Sequence, residues 1–184
     1  MNWNPYTPPA SSVGAAPPAA AAPAGAAAAY LAYAGDDYYA RHWRTLIESG
    51  RAGLSFNWGA GIFGLAWCFY RKMYVIGLAL LALSFVAALI LGVILGLAGY
   101  AAAIADRSFA TWLGVAAVAL VRIPFGFVAN KLYFRRATRA IESGRVAGLD
   151  GEALLAQLHE AGGRSSGGLA IALALNVAIR MAGL

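Results

Sequence analysis

From Val75 to Ala105 the chain carries no charged residue. About 20 apolar residues suffice for a helix to cross the ~30 Å hydrocarbon core of a bilayer, and this run is longer. The pattern predicts a transmembrane helix over 74–100, about 39 Å long at 1.5 Å per residue, with Tyr74 and Tyr100 at the two headgroup levels. A second apolar run predicts another span over 109–129. Phe109 and Trp112 mark one interface of that span, Tyr133 and Phe134 the other. The loop between the spans carries only Asp106 and Arg107.

Weaker periodicities fill in the remainder. Residues 36–50 read as an amphipathic helix, opened by Asp36 and Asp37 and stopped by Gly50. Tyr39, Trp43, Leu46 and Ile47 fall on one side of it and Arg41, Arg44 and Glu48 elsewhere. It lies on the membrane surface or packs on the protein's own helices. Residues 54–70 have nearly spanning length, but both flanks are basic and the segment is rich in glycine and aromatics. It reads as a re-entrant or interfacial element. A basic helix over 130–143 continues the second span and is expected to stop at Gly144. A short helix over 151–162 takes Asp150 as N-cap. Residues 167–184 form a weak hydrophobic helix, either a third span or an interfacial one, because Asn176 and Arg180 oppose deep burial. The Ala/Pro-rich residues 1–35 read as a disordered tail. LIESGRAGL recurs as AIESGRVAGL, read as a repeated helix-stop signal.

Composition supports an all-α integral membrane protein. Hydrophobic residues make up 61% and charged ones 12%, about half the soluble norm. The net charge of +6 would suit nucleic acid, but topology explains it better. Arg41, Arg44, Arg51, Arg71 and Lys72 precede the first span, and Lys131, Arg135, Arg136, Arg139 and Arg145 follow the second. The opposite loop has one basic residue. The positive-inside rule then puts both basic regions in the cytoplasm. No nucleic-acid partner is expected. Arg71, Lys72, Lys131, Arg135, Arg136 and Arg139 are the candidate contacts to anionic membrane lipid.

Phe56-Asn57-Trp58, followed by Trp67 and by Tyr70-Arg71-Lys72-Met73-Tyr74, resembles the signature of a bacterial membrane family, the domain of unknown function 2628. Tyr38-Tyr39 with Trp43, the segment from Ala129 through Asn130 and Lys131 to Tyr133, and Gly162-Gly163-Arg164-Ser165 look like further family elements. The resemblance runs from Asp36 to the C-terminus. Leu65 departs from it where a proline is expected, and Gly59 and Gly61 replace bulkier residues. It implies a small multi-pass protein of the bacterial inner membrane and carries no activity over.

Little chemistry is encoded. His42 and His159 are far apart, and no metal-spaced cluster occurs, so no metal, cofactor or catalytic residue is expected. Cys68, the single cysteine, sits between aromatics and reads as an inert thiol. Gly92 and Gly96 would permit close helix packing. Arg122 is the one charge inside a span; it either snorkels or serves structure, or it takes an ion or a lipid phosphate. Two function classes follow. One is a non-enzymatic membrane interaction or scaffold protein; the other is a subunit of an oligomeric transporter or channel. Partners are then lipid together with a second copy or another membrane protein.

Overall fold

The computed structural model describes residues 24–49 and 55–181, and every regular element among them is helical. Helix α1 (Ala24–Ala34) is a correction to the tail reading. Pro23 is the last proline of the tail, and alanine has the highest helix propensity, so the run beyond it is free to coil. Tertiary contacts hold it, with Ala29, Tyr33 and Ala34 buried. Residues 1–23 lie outside the described set. After the break at Gly35 (φ 61°), α2 (Asp37–Ser49) places Tyr39 and Trp43 in the core at 1% exposure each, so it packs on the protein's own helices. The predicted stop at Gly50 and the first copy of the Ser-Gly-Arg echo fall outside the described residues.

The 54–70 segment is a broken helix. Its α3 (Trp58–Phe63) and α4 (Leu65–Tyr70) are separated by Gly64 alone, at φ 43°. Glycine takes that conformation without a Cβ penalty, so the bend needs no proline at position 65. The first apolar helix begins as α5 (Tyr74–Leu95), passes through a π-helical turn over Gly96–Tyr100 and continues as α6 (Ala101–Ala105). It therefore outruns its expected end at Tyr100. Gly99, at φ 89°, breaks it there instead of terminating it.

The second apolar helix and the basic helix are one element, α7 (Arg107–Val146) of 40 residues. It is about 60 Å long, twice the hydrocarbon thickness. The Asp106 carboxylate caps it by accepting from the Phe109 amide at 2.9 Å. The helix runs straight through Gly144, contrary to the expected stop. Leu154 and Gln157 press on Gly144 so closely that a side chain would collide. The real terminator is Gly148 at φ 78°, whose amide donates to Arg145 O while Leu149 N donates to Gly144 O. Beyond it, α8 (Gly151–Ala161) buries Leu154 and Leu158. Asp150 precedes it in extended conformation, but its side chain makes no capping bond. Helix α9 (Ser166–Met181) has 16 residues, about 24 Å, and falls short of a crossing. Instead Leu169, Ala172 and Leu175 pack against Leu65, Ala66 and Phe69 of α4. Residues 182–184 lie outside the described set.

Two helical stretches, Tyr74–Ala105 and Arg107–Val146, are long and apolar enough to cross a membrane. Most of their apolar surface is uncovered by the rest of the protein. Only 6% of the most apolar stretch of the first is buried, and Val75, Leu89 and Leu97 are 80%, 69% and 86% exposed. The polar half of α7 instead gathers α1, α2 and α8 into a headpiece. Its core holds Tyr33, Tyr39, Trp43, Tyr133, Ile141 and Leu158.

Candidate functional site

Five segments meet where the apolar hairpin joins the headpiece, and the family-like residues are the joint. Asn57 is fully employed. Its amide donates to the Gly126 carbonyl of α7 at 2.9 Å. Its Oδ1 caps α3 by accepting from Ala60 N at 2.9 Å, and its Nδ2 donates to Asn130 Oδ1 at 2.7 Å and to the Tyr39 hydroxyl at 3.3 Å. Asn130 passes the chain on, Nδ2 donating to Ser55 Oγ at 3.0 Å. Both asparagines are buried, where an unpaired amide is expensive and a paired one fixes a single register. The Phe56 ring packs against Gly126 and Gly61, so a Cβ at either position would meet it. Trp58 points outward at 71% exposure.

Arg71 is the second half of the joint. Only 5% exposed, it donates from Nη1 to the Ala34 carbonyl at 3.0 Å and from Nη2 to Asp36 Oδ2 at 3.1 Å. Its guanidinium carbon stands 4.7 Å from the Tyr39 ring centre, 5.4 Å from Tyr70 and 5.5 Å from Tyr133. The negative ring faces replace much of the lost hydration. Arg71 is therefore no lipid contact. Lys72 is half-buried, adopts φ 56° and donates from Nζ to the Glu160 carbonyl at 2.6 Å. Met73 is fully buried, Trp67 meets Phe125 and Tyr133 edge-on, and Tyr74 is exposed. Among the described residues Arg71 Nε, the Tyr133 hydroxyl and Trp43 Nε1 are buried without a hydrogen-bond partner.

Two charged residues at this joint were not among the candidate site residues. Asp36 carries three loads: Oδ1 accepts from Tyr38 N at 2.9 Å, and Oδ2 pairs with Arg71 and with Arg164, each at 3.1 Å. Arg164 arrives on the Gly162–Ser165 segment, which Gly163 N tethers to Tyr33 O and Ser165 N to Tyr70 O. The sequence signal was present in the Gly-Gly-Arg-Ser element. Burial pushes the Asp36 carboxyl up, but the Tyr38 amide and the two guanidiniums outweigh it and hold the carboxyl below its ordinary 3.8. A depressed carboxylate adds stability that is complete above the unfolded value and lost as pH falls through the folded one. The melting-temperature difference between wild type and Asp36→Asn should therefore be constant from neutral pH to about 5, and shrink below about 4. A difference unchanged at pH 3 would mean that the uncharged capping role alone matters.

The basic candidates divide. Lys131, Arg135 and Arg139 are exposed and four residues apart, so they stand in line along α7. Arg136 leaves that line and donates from Nε to the Tyr33 hydroxyl at 3.0 Å, tying α7 to α1. At Gly92 and Gly96 nothing among the described residues approaches within 4 Å of where a Cβ would stand, so no described helix uses them for packing. Arg122 lies deep in the apolar half of α7, its Nη1 donating to the Ile62 carbonyl at 3.0 Å.

One consequence of this geometry is topological. Asn57 at the start of α3 and Arg71 just after α4 both reach Tyr39, while the bend between them touches Arg122 and Leu80. Tyr133 and Arg122 are eleven residues apart on α7, about 16 Å. The α3–α4 segment thus leaves the joint, travels along the apolar half of α7 and returns.

An all-helical protein with two span-length apolar helices and a polar joint at one end of them is the class these features define. The chain belongs to the family described as Protein of unknown function (DUF2628), which it matches over residues 25–139. The match begins at α1, earlier than the resemblance read from Asp36, and ends before α8. No curated protein and no solved structure matches the chain.

Proposed function

We propose that this is a non-enzymatic multi-pass protein of the bacterial inner membrane. The apolar hairpin anchors a cytoplasmic headpiece that presents a basic face to anionic lipid and to a membrane partner. One observation carries the reading: the apolar side chains of Tyr74–Ala105 face outward, while the charged residues collect at the headpiece end. In water such a surface far exceeds the apolar patches that monomers tolerate; in lipid it is the solvent-facing side. The broken α3–α4 helix then enters the bilayer from the cytoplasmic side and returns. Its backbone is covered by α5, α7 and α9, as irregular backbone at membrane depth requires. Lys131, Arg135 and Arg139 lie where the positive-inside rule favours cations.

Alkaline carbonate washing of membranes tests the anchoring. The chain is expected to stay with the membrane pellet, and its release into the supernatant would refute the reading. A second reading, a subunit of an oligomeric transporter or channel, is favoured by the uncovered Gly92 and Gly96 face. The mass of the detergent-solubilised protein decides between them. A monomer leaves too few helices to enclose a pore, whereas a closed oligomer that Gly92→Leu dissolves supports the second reading.

A further inference from the structure

Arg122 has more donors than the chain gives acceptors. A guanidinium carries five N–H groups, and the bond to Ile62 O is its one hydrogen bond among the described residues. That carbonyl lies in the last turn of α3, where no amide of the helix remains to receive it. A Cβ at Gly64 would stand 2.7 Å from Arg122 Nε, so the arginine head lies against the bend. It is only partly buried. At the end of α3, where Arg122 bonds, Ile62 and Phe63 are 57% and 62% exposed. The opening therefore faces the apolar exterior.

No acidic side chain of the hairpin can neutralise it. Between Lys72 and Lys131 the one acid is Asp106, sixteen residues away along α7, about 24 Å. An uncompensated cation at membrane depth is costly, so the counter-charge comes from outside the chain. Arg122 lies eight residues below Asn130, about 12 Å. A phospholipid of the inner leaflet can lower its phosphate part of that distance while its acyl chains cover the exposed aromatic and aliphatic flanks. A soluble anion has no apolar part to place there. The planar guanidinium also suits two phosphate oxygens at once.

We propose that Arg122, braced on the Ile62 carbonyl at the bend of the α3–α4 hairpin, holds the phosphate of an anionic phospholipid in the seam between α3 and α7. This rests on the reading that α7 crosses the bilayer, which the carbonate wash tests separately.

The test uses the full chain in mild detergent, titrated with phosphatidylglycerol, phosphatidylcholine or inorganic phosphate. Native mass spectrometry and thermal unfolding provide the readouts. Wild type is expected to retain one phosphatidylglycerol through detergent exchange and to melt higher as that lipid is added. Arg122→Gln should bind it at least tenfold more weakly and lose the lipid-dependent shift. Arg107→Gln, an exposed cation at the opposite end of α7, should keep both. Equal phosphatidylglycerol affinity in wild type and Arg122→Gln overturns the proposal. So does displacement of the lipid by millimolar inorganic phosphate, which would make a soluble anion the occupant, or loss of a co-purifying protein in place of lipid. If Arg122→Gln loses its helical circular dichroism, Arg122→Lys decides. It retains a charge but not the fork, so severalfold weaker binding supports the site and unchanged binding overturns it.

Discussion

Replacing Arg71 with leucine is expected to destabilise the protein by about 3 kcal/mol, the low end of the range for removing one partner of a buried ion pair. The leucine leaves the Ala34 carbonyl without its donor and removes the cation from three tyrosine faces. Asp36 softens the loss, since its side chain is 25% exposed and still faces Arg164. Because Arg71 joins the end of α1, the start of α2 and the return of α4, the headpiece should loosen as a unit. Thermal unfolding in detergent, followed by tyrosine and tryptophan fluorescence, would register this. Arg71→Lys should recover only part of it, because an ammonium cannot reach Ala34 O and Asp36 as a fork while stacking on Tyr39. An Arg71→Leu variant as stable as wild type would mean that the aromatic cluster holds the joint alone.

Asn57→Ala is the second large effect, about 2–4 kcal/mol, combining a lost N-cap of about 1 kcal/mol with a buried acceptor stranded on Asn130 at 1–3 kcal/mol. The variant removes the Ala60 cap, the Asn130 bond and the Tyr39 contact together. Asn57→Asp separates these. Its carboxylate still caps Ala60, but it donates nothing to Asn130 Oδ1 and sets a charge against it. It should therefore remain well below wild type. If Asn57→Asp matches wild type in thermal unfolding, the asparagine pair contributes nothing and only the cap does.

The two long helices were legible because their signal is local: a charge-free run of sufficient length needs no knowledge of what packs against it. The joint was only half legible. Its residues were visible as a motif, but the charge of Arg71 was read as facing lipid. Charge counting places a residue on a side of the membrane and cannot see that Tyr39 and Tyr133 arrive from elements far along the chain to enclose Arg71. The bond from Arg136 to Tyr33 was invisible for the same reason, the two lying 103 positions apart. Helix α1 was missed because the Ala/Pro composition of the tail was averaged across Pro23, whereas Tyr30 stacks on Phe134 at 4.7 Å from the far end of the sequence. The expected stop at Gly144 failed because glycine serves two purposes. At 144 it admits Leu154 of α8, and the left-handed turn that ends the helix belongs to Gly148.

The central claim is that α7 crosses the membrane with its basic end in the cytoplasm. Ser108 and Ser143 both lie on this one helix and are both exposed. Each would be changed to cysteine in a Cys68→Ala background and labelled with a membrane-impermeant maleimide in intact spheroplasts and in inverted vesicles. Ser108→Cys should label from the outer face only and Ser143→Cys from the cytoplasmic face only. Labelling of both from the same face would contradict the crossing and return α7 to the interior of a soluble or peripheral protein.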